Sequence, residues 1–498
     1  MNVNPITRLD YPDLDVIRVE DTYYMVSTTM HFMPGCEILQ SFDLVHWEHV
    51  IYVYETLDHT DAQQLKSGQN IYGQGMWAAS LRYHEGRFCI CFVANDTRKT
   101  YLYTSEKIDG PWKKQLIEGF YHDGSLLFDE DGRNYIVYGN DEIWITELNE
   151  DLTAPKKDGL HRLLVSDHKN PELGYEGSHI QKINGYYYIF LIHSLRDRWM
   201  RTEACFYSDS LEGEFTGGDV LCDDRGYCGQ GVAQGGIVDT PDGKWYAMLF
   251  QDFGAVGRIP ILLPVTWKDH FPFFGQNGHV PEEIEVHSTR PGYIYQPLVG
   301  SDDFCNGLLP RWQFNHDPDP RYYHLDALQG TYTITTREVC TELTQAVNTL
   351  TQRMSYPSCA AEVTVDASAL KEGDVAGLCA LQSCYAAVGI TKHHGKYEVL
   401  MLDKKEDGIL DMTEGTVVES HQMDFRLEAD FCNMKDEARC YYRVNKGDWL
   451  PIGTVHKLYF KLDHFTGCRF GLFCYAAEET GGSACFRDFK YYDVNEIS

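Results

Sequence analysis

The sequence predicts an all-β chain, a five-bladed β-propeller followed by a β-sandwich. Three observations predict it. A hairpin-shaped segment recurs five times before about residue 275. The rest of the chain breaks into short alternating strands separated by turn signals. No long amphipathic helical pattern interrupts either part.

The five recurring segments are DLDVIRVEDTYYMVST from Asp13, WAASLRYHEGRFCICFVA from Trp77, DGSLLFDEDGRNYIVYGN from Asp123, EGSHIQKINGYYYIFLIH from Glu176 and QGGIVDTPDGKWYAMLFQD from Gln234. Each opens on a polar or aromatic residue and a short apolar run. A tight turn on Gly or Asp follows, then a strand rich in Tyr, Phe or Trp. Turn residues that accept positive φ between alternating strands make a β-hairpin. The spacing of about 45–65 residues is that of propeller blades. In a propeller the inner strand of each blade lines the central channel. The first residues of the five inner strands, Asp13, Trp77, Asp123, Glu176 and approximately Gln234, should therefore meet at one mouth of it.

The segment PFFGQNGHVPEEIEVHSTRPGYIYQPLVGSDDF is irregular and reads as a linker. Beyond it, GTYTITT, AAEVTVDAS, AAVGITK, YEVLMLD, FRLEADF, ARCYYRV, KLYFKLD, CRFGLFCYAA and CFRDFKYYDV alternate as sandwich strands do. The expected domains are residues 1–298 and 299–498.

The net charge of −31 opposes nucleic acid and anionic membrane. No apolar run reaches the roughly 20 residues of a membrane span. The 33 tyrosines suit strands and also surfaces that stack on sugars. The 16 cysteines include no CxxC pair, and Cys89-x-Cys91 reads as alternation along one strand face. Reduced thiols and the absence of a leader in MNVNPITRLDYPD give a cytoplasmic expectation. The Gly-rich GYCGQGVAQGG lacks the Lys-Ser/Thr of a phosphate loop and reads as backbone packed at the channel. His46-x-x-His49 and His393-His394 read as surface and turn residues, so no metal ligands are assigned.

Carboxyl groups converging beside a Trp suit glycoside hydrolysis, in which one carboxyl protonates the leaving oxygen and another acts from the opposite side. A third carboxylate near the acid would raise its pKa and keep it protonated near neutral pH.

DYPDLDVIRVEDTYYMVST, MWAASLRYHEGRF, YHDGSLLFDEDGRNYIVYG and GYEGSHIQKINGYYYIF resemble the blade motifs of glycoside hydrolase family 43, propellers that are mostly β-xylosidases, α-L-arabinofuranosidases and arabinanases. The tail around Trp312 resembles the concanavalin-like jelly-roll sandwich that follows the propeller in many family xylosidases. The resemblance implies an inverting exo-glycosidase that releases a terminal β-D-xylose or α-L-arabinofuranose from short oligosaccharides. Asp13 then resembles the general base, Asp123 the residue that orients and tunes the acid, and Glu176 the general acid. Phe32 and Trp77 resemble aromatic walls of the sugar pocket. Arg258 resembles an arginine that binds the sugar and the base, and Phe465 lies on a sandwich loop of the kind that reaches over the pocket mouth. The first motif reads Asp13-Leu14-Asp15 where the family usually has Asp-Pro-Ser. Gln234, assigned to the sugar pocket, stands near where many members carry a histidine beside a central cation. No cofactor is required, and the channel is left open to a calcium ion or a water. An arabinan-degrading enzyme and a non-catalytic carbohydrate-binding protein are the alternatives, and a homo-oligomer stays open.

Overall fold

The structure, a computed structural model, describes residues 2–493. The first part forms five four-stranded antiparallel sheets. Their inner strands are Asp15–Val19, Met76–His84, Ser125–Phe128, Glu176–Ile183 and Ala233–Asp239, each paired to the next strand of its own blade. This is the five-bladed propeller that the repeats predict.

Alternation along the strands explains how the blades pack. Successive side chains of a strand point to opposite faces, so each strand feeds two cores. In blade 2, Ile90 and Phe92 face Val26 and Ile38 of blade 1. Cys89 and Cys91 face Leu126 and Ile136 of blade 3, so both thiols do lie on one strand face. Blades 3 and 4 share Val137, Ile145 and Ile189. The ring closes where Val16, Tyr23 and Met25 of blade 1 meet Val238, Tyr246 and Met248 of blade 5. No strand from the N-terminus completes blade 5. Closure is instead polar at its rim: the Asn4 side-chain amide donates to Leu262 and Pro281 carbonyls and accepts from the Leu262 N–H, and Arg18 pairs with Asp239.

The inner strands share a device at their heads. Register shifts by a bulge between Met76 and Ala79, between Glu176 and His179, and between Ala233 and Gly236. Asp13, Asp123, Gly177 and Gln234 all have φ between 47° and 65°. Bulges and left-handed residues bend a strand and re-aim its side chains. The register makes Asp13, Trp77, Asp123, Gly177 and Gln234 equivalent, with Glu176 one residue earlier, level with His122. The one Gly at this position is required, because a Cβ on Gly177 would stand 2.7 Å from the Gln234 side chain.

The second part is a sandwich of antiparallel sheets. One sheet runs Tyr323–Asp326, Thr331–Thr335, Ser483–Asp493, Ser358–Asp366, Gln422–Asp430, Glu437–Arg443, Leu450–Lys457. The other contains Lys396–Lys404, Tyr385–His393, Val375–Leu381, Arg469–Tyr475, Leu350–Arg353 and Gln313–Asn315, and ends on Phe32–Met33 of the propeller. A strand ladder thus crosses the domain boundary. The expected linker is not free either: Glu283–Ile284 pairs with Asn2–Val3, and Tyr293 and Tyr295 pack on Phe42 of blade 1.

KLYFKLD departs from the expected strand. The strand ends at Lys457, and residues 458–466 form a loop. Leu458 and Tyr459 are buried there, and the Tyr459 N–H donates to Gln382, so the apolar alternation anchors a loop in place of a strand. Its tip runs into the propeller. A Cβ on Gly73 would meet the Asp463 carbonyl at 2.0 Å, and Gly467 and Cys468 donate to Asp10 and Ala255.

Candidate active site

The bulged strand heads bring Asp13, Asp123, Glu176, Gln234 and Trp77 to one mouth of the channel. Arg258 reaches them from the third strand of blade 5. Its Nη1 donates to Asp13 Oδ1 at 2.5 Å, and the other Asp13 oxygen accepts from the Thr28 hydroxyl at 2.6 Å. Both Asp13 oxygens are therefore engaged. Behind it, Asp252 pairs with Arg201 and stands 3.4 Å from Arg258 Nε, which locks the guanidinium in place.

Asp123 accepts from the Gly177 N–H at 3.1 Å. Glu176 Oε2 accepts from the Asn140 amide at 2.6 Å and lies 3.4 Å from His122 Nε2. Donor atoms of His122, Asp123 and Glu176 all lie within 4.8 Å of one another, and Asp13 stands outside this group.

Burial pushes the Asp123 carboxyl up. The His122 charge opposes this, Glu176 and Asp13 add to it, and the result is about 6. Glu176 goes the other way. Burial raises it, but the hydrogen bond and charge of His122, with Arg258 and Arg201, outweigh burial and leave it below the usual glutamate value. The expectation that a neighbouring carboxylate raises the pKa of this acid is thus reversed. The reason is His122, which the sequence reading passed over.

Trp77 is half-buried and stands edge-on to His122 at 6.2 Å and to Phe465 at 5.3 Å. Phe465 comes from the sandwich loop and lies under the Arg258 guanidinium, 4.0 Å from ring centre to Cζ. The sandwich therefore completes the pocket wall. Gln234 is buried, and its N–H donates to Glu203 at 2.7 Å. Burial lifts the Glu203 carboxyl well above its ordinary value. Phe32 is buried at the domain seam, stacked under Arg469 at 3.5 Å and against His31 at 4.2 Å.

Asp15, two residues into the first strand, belongs to a deeper layer. Its carboxylate accepts from the Leu81 N–H, Arg82 and His179. Burial raises it, but Arg82 and His179 bring it down to about 2. Arg82 also donates to Leu126, Ser125 and Ile180. One guanidinium thus ties blades 1, 2, 3 and 4 across the channel. In GYCGQGVAQGG, a Cβ on Gly236 would stand 3.4 Å from His179, so that glycine is packed at the channel as expected.

His122, Asn140, Arg201 and Asp252 were not singled out from the sequence. A signal for His122 existed: aligning the repeats by hairpin register, rather than by first polar residue, puts it level with Glu176.

Comparison with known proteins agrees with this geometry. Residues 3–272 match the glycosyl hydrolases family 43, and residues 301–492 match the β-xylosidase C-terminal concanavalin A-like domain. The chain is 26% identical to a β-xylosidase of Formosa agariphila, over 99% of this chain and 90% of that protein. It superposes with a TM-score of 0.92 and 42% identity on a bifunctional GH43-CE protein of Bacteroides eggerthii, over 100% of this chain but 64% of that one. A third similar structure, with a TM-score of 0.86, 27% identity and 99% of both chains covered, is a GH43 hydrolase engineered for both endo-xylanase and exo-arabinofuranosidase activity.

Proposed function

The chain belongs to the glycosyl hydrolases of family 43, and from that premise we propose that it is an inverting exo-glycosidase releasing a terminal pentose, β-D-xylose or α-L-arabinofuranose, from short oligosaccharides. The observation that carries this reading is the pairing of one arginine-held carboxyl group, Asp13, with a separate acid cluster, Asp123 and Glu176, at one channel mouth. Asp13 takes a proton from the attacking water. Glu176 protonates the leaving oxygen, and Asp123, fixed by the Gly177 N–H, orients it. Arg258 holds Asp13 in place by its hydrogen bond and meets the sugar, and Trp77, Gln234 and Phe465 close around it. Arg82 bridges Asp15 and the Ile180 carbonyl across the channel, which supports removal of one terminal residue over passage of a polymer.

Family 43 catalysis needs no cofactor. A calcium ion in the channel stays open within this reading, beside the Asp15 carboxylate that Arg82 and His179 hold. The partner is an oligosaccharide. The negative charge supports the exclusion of nucleic acid and anionic membrane, and self-association through the sandwich stays within the reading. The 16 free cysteines support a cytoplasmic location.

The test compares aryl β-xyloside with aryl α-arabinofuranoside, each with the unaltered chain and with Glu176→Gln. The variant should keep its melting temperature and lose about 10²–10⁴-fold in kcat on poor leaving groups. Normal turnover in the variant refutes the assignment. Tight oligosaccharide binding without hydrolysis by the unaltered chain would revive the binding-protein reading.

A further inference from the structure

His122 sits where the reaction has an unmet need. Inverting hydrolysis, as read above for Asp13 and Glu176, ends each turnover with Glu176 short of a proton and Asp13 holding one. A proton must return to Glu176 before the next turnover, and the groups in contact with its carboxylate decide how that proton is held. The neighbours of Glu176 divide by chemistry. Asn140 only donates a hydrogen bond. Arg258 and Arg201 act on it as fixed positive charges. Asp123 is buried and bound to the Gly177 N–H. His122 alone among these joins a titratable ring within 3.4 Å of the Glu176 carboxylate to a partly exposed side chain.

Its geometry fits that task. Nε2 lies 3.4 Å from Glu176 Oε2 and 3.6 Å from Asp123 Oδ2, and its side chain keeps 21% of its surface exposed. Its carbonyl accepts from the Gly139 N–H, which pins the backbone. Trp77 of blade 2 stands against the ring. Asp123 shares its strand head, Glu176 faces it from blade 4 and Asp13 from blade 1. Arg258 and Arg201 act on Glu176 as further positive charges.

We propose that His122 holds the proton of the general acid and restores it after each turnover. Before a sugar arrives the pair rests as imidazolium and carboxylate, 3.4 Å apart. Burial lowers the imidazole pKa, but Asp123, Glu176 and Asp13 raise it, to about 9. An arriving sugar displaces water, and separated charges cost more in a drier site. The proton moves from Nε2 to Glu176 Oε2, leaving both groups neutral. Glu176 gives it to the glycosidic oxygen as the C–O bond breaks. The attacking water supplies the hydroxyl of the released pentose and its other proton goes to Asp13. After products leave, Asp13 releases that proton to solvent and His122 takes one up. His122 acts through Glu176, so it is a positioning residue.

The test uses His122→Gln and His122→Asn in the full chain, with a dinitrophenyl xyloside, whose leaving group needs no proton, and xylobiose, whose leaving group does. Expected are a loss of about 10²-fold in kcat on xylobiose, less than about 5-fold on the dinitrophenyl substrate, and an alkaline limb moved to lower pH by more than about one unit. Added imidazole should restore part of the xylobiose rate. Equal losses on both substrates with an unmoved alkaline limb overturn the proposal. If neither variant folds, ring NMR of the unaltered chain decides. One histidine should stay charged above pH 8 and become neutral at pH 7 on saturation with D-xylose, and its absence refutes the idea. Glu176→Gln run alongside separates the two readings: if it shows no leaving-group dependence, the acid assignment itself fails, whatever His122 does.

Discussion

Removing Arg82 should cost more stability than any other single change in the channel. Its Nη1 donates to Asp15 Oδ2 at 2.6 Å, and the two side chains are 13% and 1% exposed. Arg82→Ala leaves an ionised carboxylate buried with only His179 and the Leu81 N–H, and it cuts the ties to Leu126, Ser125 and Ile180. Breaking a buried pair from one side costs about 3–5 kcal/mol. Unfolding entropy of about 2.1 cal/mol/K per residue, over roughly 270 propeller residues, is about 0.6 kcal/mol/K, so 4 kcal/mol lowers the propeller melting temperature by about 7 °C. Calorimetry at pH 7 measures this. The sign with pH is a second check. In the unaltered chain the Asp15 pKa is depressed to about 2, so its stabilisation is full above about 3.9 and is lost only as pH falls through 2. Without Arg82 the carboxyl pKa rises, so the stability gap to the unaltered chain should narrow between pH 7 and 5. Asp15→Asn in the same chain should recover most of the loss, because no charge is then left buried. A melting shift below about 2 °C, or a double variant as unstable as the sum of the singles, refutes the reasoning.

Two further predictions concern the domain seam. His31, His316 and His464 pack together there with their rings 4.8 and 5.4 Å from His31, all buried. Burial, with mutual repulsion and Arg469, holds His31 well below its ordinary value. Burial and the His464 charge put His316 at about 3, and burial puts His464 at about 4, with Asp463 opposing and Arg469 assisting. Folded values lie below the unfolded 6.5, so stability is full above pH 6.5 and falls as pH drops toward 3, by up to about 4 kcal/mol per pH unit if all three titrate. Melts from pH 7 to 4 should show this acid slope, and His464→Gln should flatten it by about one third. Phe465→Ala removes a ring that meets both Trp77 and Arg258. It should lower kcat/KM for an aryl pentoside about 5–30-fold, from contacts worth about 1–2 kcal/mol. Unchanged kinetics would take the sandwich out of the pocket.

Local pattern made much of this protein legible. Period-2 alternation and turn chemistry are written in adjacent residues, so the five hairpins, most sandwich strands and the strand-head acids Asp13, Asp123 and Glu176 could be placed from sequence. KLYFKLD shows the limit, because the same alternation serves a strand or an anchored loop, and only the propeller beneath Gly73 and Asp10 selects the loop. Phe32 shows another: the Arg469 guanidinium that stacks on its ring comes from the far end of the chain, and nothing in the residues around Phe32 announces it.

By itself, then, the sequence determined the repeat, the strand-head positions and the chemical character of the channel mouth, because these depend on neighbours along the chain. Only the tertiary structure decided protonation and support. Whether Glu176 is charged depends on His122, 54 positions away. The same holds for Asp15, which answers to Arg82 and His179. Electrostatic energies follow distance and burial in space, and five blades closing on one axis bring together groups that no local pattern relates.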